Sequence, residues 1–274
     1  MVKYLLSFLL VSLFVPKIAY AGDQFITIVN PVRISHYNSD PGASLASQYG
    51  VISDLDLPST WLLTYDALNN MDVVGQTKKF SRDQEFGLIL EVTPNFASDS
   101  KIKYKQTGSW HFGSSVFLTG YTQEERKLLI DTIFSKFKDT FGFYPKSVGA
   151  WWIDSWSLKY MKDKYGIIST LGCADQFATD NYQLWGQYWS TPFYPSASHA
   201  GVPASTSQSK IGIVTLQWAA RHPRDGYESS LYSTQDYFTL PEKQTTKYFD
   251  QLLDIYLNTK NDFSQITVGL EGDF

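Results

Sequence analysis

Five carboxylates stand where apolar runs of the sequence stop: Asp66 at 61–65, Glu91 at 86–92, Asp154 after 148–152, Asp175 after 167–174 and Glu271 after 265–270. His36 follows the first such run, 25–33, and Gln217 and Trp218 close the run at 211–218. Carboxylates gathered at one end of a set of strands push their pKa values apart, which yields a proton donor beside an ionised base or nucleophile. Breaking a glycosidic bond needs that equipment: an acid for the leaving oxygen and a nucleophile or base opposite. Any one of the five has a plainer use. Asp154 precedes a helical stretch at 155–165 and has the chemistry of an N-cap. Recurrence at several strand ends, rather than any single aspartate, points to a site.

The elements that must position these groups alternate. The seven apolar runs named above read as strands, mostly without polar alternation, as expected of parallel strands buried on both faces. Helical patterns lie between several of them, at 43–55, 122–142, 155–165 and 244–257. The second of these opens on Thr122 and Glu125, a capping box, and stops at Gly142. No glycine-rich phosphate loop follows any strand. The pattern predicts an α/β fold, a distorted (β/α)7-type barrel of parallel strands with its active site on the C-terminal rim. The chain stops three residues beyond Glu271, so the barrel is expected to lack its last helix, with either a partner covering that flank or the sequence being the front part of a longer protein.

Composition narrows the function classes. Residues 1–21 hold Lys3, an apolar run and Ala19-Tyr20-Ala21, the pattern of a cleavable signal peptide cut after Ala21. The predicted barrel is then residues 22–274, exported, with no later run long enough to span a membrane. A net charge of −4 with 18% charged and 43% hydrophobic residues excludes a disordered chain and a basic nucleic-acid binder. Cys173 is the only cysteine, so no intramolecular disulfide forms and stability rests on the core. No cofactor motif is present, and oligomeric state is not legible. The 8 Trp, 18 Tyr and 18 Phe make 16% of the chain aromatic, which suits either a large core or stacking on sugars.

Aromatic residues crowd 180–195, where Tyr182, Trp185, Tyr188, Trp189, Phe193 and Tyr194 follow a strand end. Gly186 and Pro192 interrupt helical periodicity there, so the segment reads as a substrate platform or a packed cap on the barrel. The long connection carrying Trp110, His111, Phe112 and Phe117 reads as a functional loop. Arg33, Arg221 and Gln217 are placed to hold hydroxyls or a uronate, or to form local ion pairs.

The arrangement resembles the glycoside hydrolase/deacetylase superfamily of seven-stranded β/α barrels. Polysaccharide deacetylases of that superfamily carry Thr-Phe-Asp-Asp-Gly and then a His-x-x-x-His metal pair. This chain has Thr64-Tyr65-Asp66-Ala67-Leu68, and its four histidines include no such pair. Gly142-Phe143-Tyr144-Pro145 is similar to a further deacetylase stretch. Gly149-Ala150-Trp151-Trp152-Ile153-Asp154 resembles the nucleophile segment of family 57-like retaining glycosidases, with Asp in place of Glu and Ile153 in place of Pro. The resemblance implies a metal-free glycosidase acting on a poly- or oligosaccharide. Asp154 would be the nucleophile, Glu271 the acid/base with Asp273 in reserve, and Asp66 a further catalytic-site carboxylate. His36, Arg33, Glu91, Trp152, Asp175, Trp185, Trp189, Gln217 and Trp218 would bind substrate. The alternatives are a divergent deacetylase using Asp66 with His36, and a non-catalytic glycan-binding barrel of the cell envelope.

Overall fold

The computed structural model describes residues 22–108, 112–173, 176–179, 182–184, 190–218, 220, 222, 242–257, 262–269 and 272–273. The strands in chain order are β1 (Asp23–Arg33), β2 (Thr60–Leu63), β3 (Glu85–Ile89), β4 (Ser147–Gly149), β5 (Ser169–Cys173), β6 (Gln176–Thr179), β7 (Tyr182–Leu184), β8 (Val214–Trp218), β9 (Phe263–Val268) and β10 (Gly272–Asp273). The helices are α1 (Pro41–Asp54), α2 (Tyr65–Asn69), α3 (Met71–Thr77), α4 (Pro94–Asp99), α5 (Gly113–Val116), α6 (Gln123–Phe141), α7 (Ser155–Tyr165) and α8 (Glu242–Tyr256), with a 3₁₀ turn at Leu118–Gly120.

Strands β1, β2, β3, β4, β5 and β8 pair in that order, all parallel. The other edge of β1 takes β9 and then β10, and one register runs through both, from Asp23↔Phe263 to Arg33↔Asp273. β9 and β10 therefore share the seventh position of a nearly closed barrel, the α/β fold expected from the apolar runs. At the remaining gap Gly269 lies against Val29 and the Trp218 ring, an approach with no room for a Cβ. β6 and β7 form a separate antiparallel hairpin.

Two apolar layers follow from strand alternation. Val29, Leu62, Ile89, Trp151, Leu171 and Trp218 pack inside the barrel, while Val32, Leu63, Leu88 and Val148 face the helices. α6 supplies the largest outer contribution through Leu129, Ile130, Ile133, Phe134 and Phe137, all buried, each contributing about 1.5–3 kcal/mol. Its Thr122–Glu125 capping box is present as the sequence predicts, and Gly142 ends it at φ 84°. α7 is fastened to α6 at Asp131, whose Oδ1 accepts from Tyr160 Oη at 2.7 Å and Tyr165 Oη at 2.6 Å and pairs with Lys164 Nζ at 2.8 Å. Among the described residues no helix is long and apolar enough to cross a membrane.

The long connection after α4 is stitched down rather than loose. Ser115 Oγ donates to the Lys105 carbonyl at 2.7 Å, and Tyr121 Oη donates to the Ser115 carbonyl at 2.9 Å. Burial pushes the Tyr121 phenol up to about 12, so it remains a donor. Val116 and Phe117 enter the interior cluster and close over one side of it. Trp110 and His111 lie outside the described residues.

Candidate functional site

The C-terminal ends of the strands bring Arg33, Glu91, Trp151 and Trp218 together inside the mouth. Each lies an even number of residues beyond an inward position (Val29, Ile89, Gly149 and Leu216), so alternation turns each side chain inward. Arg33 Nε donates to both Glu91 oxygens, at 3.0 and 2.8 Å, and its Nη2 reaches Oε1 at 2.5 Å. Trp151 Nε1 donates to the same Oε1 at 2.6 Å, the guanidinium lies 5.1 Å from the Trp151 ring, and Trp218 stands edge-on to Trp151 at 6.0 Å. Glu91 is 4% exposed and Trp218 1%. A carboxylate holding that many donors in a buried place is an anchor for the arginine and the indole, because releasing it gives up several charge-assisted hydrogen bonds where water has little access.

Asp154 is engaged elsewhere. Its Oδ1 accepts from Ser157 N at 2.9 Å, making it the N-cap of α7, and its Oδ2 accepts from Ser157 Oγ at 2.6 Å and pairs with Arg126 Nη1 at 2.7 Å. The plain capping use of this residue is thus realised, with an ion pair to α6 added. Glu271, Asp175, Trp185, Trp189 and Arg221 lie outside the described residues, as does the Asp273 side chain beyond its backbone place in β10.

Asp66 differs from both. It sits in the first turn of α2, directly after β2, where Thr64 caps the helix through Ala67 N at 3.2 Å. Burial pushes its carboxyl above the usual carboxylate range; Thr93 and Asn95 pull against that rise, Asp99 adds to it, and the charge of the exposed His36 opposes it. Among the described residues no Lys or Arg is paired with Asp66. Beside it the Tyr65 hydroxyl donates to Asp99 Oδ2 at 2.8 Å, and the Tyr65 and Phe96 rings stack at 4.7 Å, which fixes α2 against α4. The structure therefore leaves Asp66 on the rim within electrostatic reach of His36 and draws Arg33, Glu91 and Trp218 into the closed interior beneath.

Thr93, Asn95 and Asp99 were not singled out from the sequence. The signal was present: Thr93-Pro94 after the third strand is an N-cap followed by proline at N1, and α4 begins there. Arg126, the partner of Asp154, carries no such signal, because the contact joins side chains of two different helices, α6 and the N-terminus of α7. A metal centre of the deacetylase kind does not fit the described residues. Ala67 stands where a second aspartate would, and no three His, Cys, Asp or Glu side chains converge.

A second feature lies on the barrel's flank. The residues of β5 and β8 that alternate with the inward Leu171 and Trp218 line a small cleft whose water-accessible space is about 50 Å³. Trp152, Gly172, Cys173 and Gln217 border it, roofed by Phe193, Ala200 and Gly201 of the segment between β7 and β8.

The profile of a family described as "Domain of Unknown Function with solved-structure structure (DUF3863)" matches residues 57–220. No curated protein matches the chain in sequence. A solved structure from Parabacteroides distasonis, provisionally described as a glycoside hydrolase/deacetylase, superposes with a TM-score of 0.61 at 14% identity, covering 91% of this chain and 61% of that one. The chain thus spans about 61% of the length of that protein. The crystal structure of Puue allantoinase superposes with a TM-score of 0.52 at 9% identity, over 90% of this chain and 77% of that one. At such identities the likeness is one of fold.

Proposed function

We propose that this chain, which belongs to the DUF3863 family, is a carbohydrate-directed hydrolase that removes an acyl group, with Asp66 as its acid–base group and His36 beside it. The observation that carries the reading is the state of Asp66: a half-buried rim carboxyl with a raised pKa and no Lys or Arg paired with it among the described residues. Glu91 and Asp154, by contrast, are each tied to an arginine. A single releasable carboxyl among the described Asp66, Glu91 and Asp154 suits acyl hydrolysis. Asp66 takes a proton from water as the water oxygen attacks the acyl carbon, then returns it to the leaving oxygen or nitrogen as that bond breaks. A carboxylate with a raised pKa is the stronger base for the first step and the readier acid for the second. Glycosidic cleavage needs two working carboxyls, and Asp154 would have to leave Ser157 and Arg126 to be one of them. Residues 1–21 support an extracytoplasmic place of work, in keeping with a polysaccharide or oligosaccharide substrate.

The test is acetate and reducing-end release from a panel of acetylated glycans by Asp66→Asn and Asp154→Asn proteins. Asp66→Asn is expected to lower acetate release by about 10²–10⁴-fold, and wild-type kcat/KM to rise as pH passes upward through the raised Asp66 pKa. Because the folded pKa is raised, Asp66 favours the fold fully below its unfolded value of about 4. That contribution is lost as pH climbs through the folded value, so Asp66→Asn should not lower the melting temperature at neutral pH. Asp154→Asn should lower it and leave turnover in place. Reducing-end release that vanishes in Asp154→Asn and persists in Asp66→Asn would reverse the assignment in favour of a glycosidase.

A further inference from the structure

The flank cleft beside β5 and β8 is held open in a way that packing alone does not require. Among the described residues a Cβ built on Gly172 meets no atom within 4 Å, and the residue does not sit at positive φ. Glycine in a strand interior weakens the strand, by roughly 0.5–1 kcal/mol relative to alanine, and marks places where another molecule comes close to the backbone. Thr170 and Thr215, direct register partners on the two strands, also line the cleft, and their buried Oγ1 atoms have no hydrogen-bond partner among the described residues. Buried hydroxyls in native proteins are normally answered by protein or water. At the border Trp152 is 38% exposed, standing edge-on to His199 at 6.0 Å, while His199 Nδ1 accepts from Gly201 N at 3.1 Å. An exposed indole bordering a cleft is a surface on which the apolar face of a pyranose can lie. The space of about 50 Å³ is about the share of two waters in the liquid, too small for a sugar ring and suited to one short substituent. Its walls are mostly apolar, from Ile153, Leu158, Phe193 and Ala200, with hydroxyls and the Gln217 amide as the polar part. A methyl group joined to a carbonyl has that same mixed character.

We propose that the cleft is a subsite for the acetyl substituent, acetamido or acetoxy, of a hexose whose ring lies against Trp152. It rests on the carbohydrate reading above and not on Asp66, and it narrows the substrate class to acetylated glycans. The sugar held here is recognised, with its acetyl group retained.

Saturation-transfer NMR and tryptophan fluorescence titration with the full chain test this directly. The probes are methyl N-acetylglucosaminide, methyl 6-O-acetylglucoside and methyl glucoside. The acetyl methyl should receive the strongest transfer in whichever acetylated probe binds, and methyl glucoside should bind at least about tenfold more weakly. The first two probes separate the acetamido from the acetoxy source. Gly172→Val, which fills the cleft, and Trp152→Ala, which removes the surface beside it, should each weaken binding about tenfold or more with the melting temperature retained. Equal binding with and without the acetyl group overturns the subsite, as does acetyl-selective binding unaffected by both Gly172→Val and Trp152→Ala. Loss of turnover in Asp66→Asn would then still stand, so failure of the subsite and failure of the acid–base reading can be told apart.

Discussion

A Cβ placed on Gly87 in β3 would lie 2.4 Å from Ser147 Oγ, 2.6 Å from the Ser147 carbonyl oxygen and 2.7 Å from a Leu62 methyl; one placed on Gly172 in β5 would meet nothing within 4 Å among the described residues. The two glycines stand on two walls of the same barrel, Gly87 turned to the interior with Ile89 and Gly172 to the outer side, alternating with Leu171. The wall of β2, β3 and β4 packs tightly inward, and its outer face is covered by α6 and α7, whose Phe134 and Met161 are fully buried. The wall of β5 and β8 is backed by irregular chain: Phe193 bridges Thr215 in antiparallel fashion, and Ile211 and Ile213 supply the apolar cover. A helix presents a continuous ridge of side chains that fills the surface it lies on. A loop satisfies its own backbone first and leaves unfilled space where its side chains do not meet the strand. The first wall fixes the site, and the second has room to recognise something.

If the first wall and the mouth it carries are a closed unit, breaking it should be costly. Glu91→Gln removes the buried charge that Arg33 Nε, Arg33 Nη2 and Trp151 Nε1 are bonded to and is expected to cost about 3–5 kcal/mol in chemical denaturation. A cost under about 1 kcal/mol would mean that solvent reaches the pair and that the mouth is open. Gly87→Ala comes next, at about 1–3 kcal/mol, because the added methyl meets a backbone carbonyl that cannot rotate away. Were Gly87→Ala neutral, the close packing of this wall would be relieved by strand movement, and its contrast with β5 would weaken.

These two positions also show what was legible in the sequence. The strands came through because both faces are buried, so the runs are apolar without interruption, and α6 came through because its capping box and terminal glycine bracket a clean helical period. Short helices such as α2 and α4 escaped, since five or six residues are too few for a period to show and only their caps, Thr64 and Thr93, announce them. Carboxylates at strand ends were visible as a set, but their roles were not. Whether an aspartate is spent on Ser157 and Arg126, as Asp154 is, or left with a raised pKa, as Asp66 is, depends on partners from other elements. Gly172 reads from the sequence as an ordinary small residue in an apolar run; only the space beside it sets it apart from Gly87.

The smallest effect probes the second wall. Gly172→Ala should stabilise the fold by about 0.5–1 kcal/mol, because alanine loses less chain entropy in a strand and its methyl enters open space. For a chain of this size that is a rise of roughly 1–4 °C in melting temperature. The sign matters more than the size. A rise means that glycine at 172 is kept against stability, as expected where a strand borders a recognition cleft that must stay open. A fall of similar magnitude would mean that Thr170, Thr215 and the 190–213 segment close onto the glycine in solution. The loop-backed wall would then be as tightly packed as the helix-backed one, and the contrast between the two glycines would reduce to a difference in what fills the space.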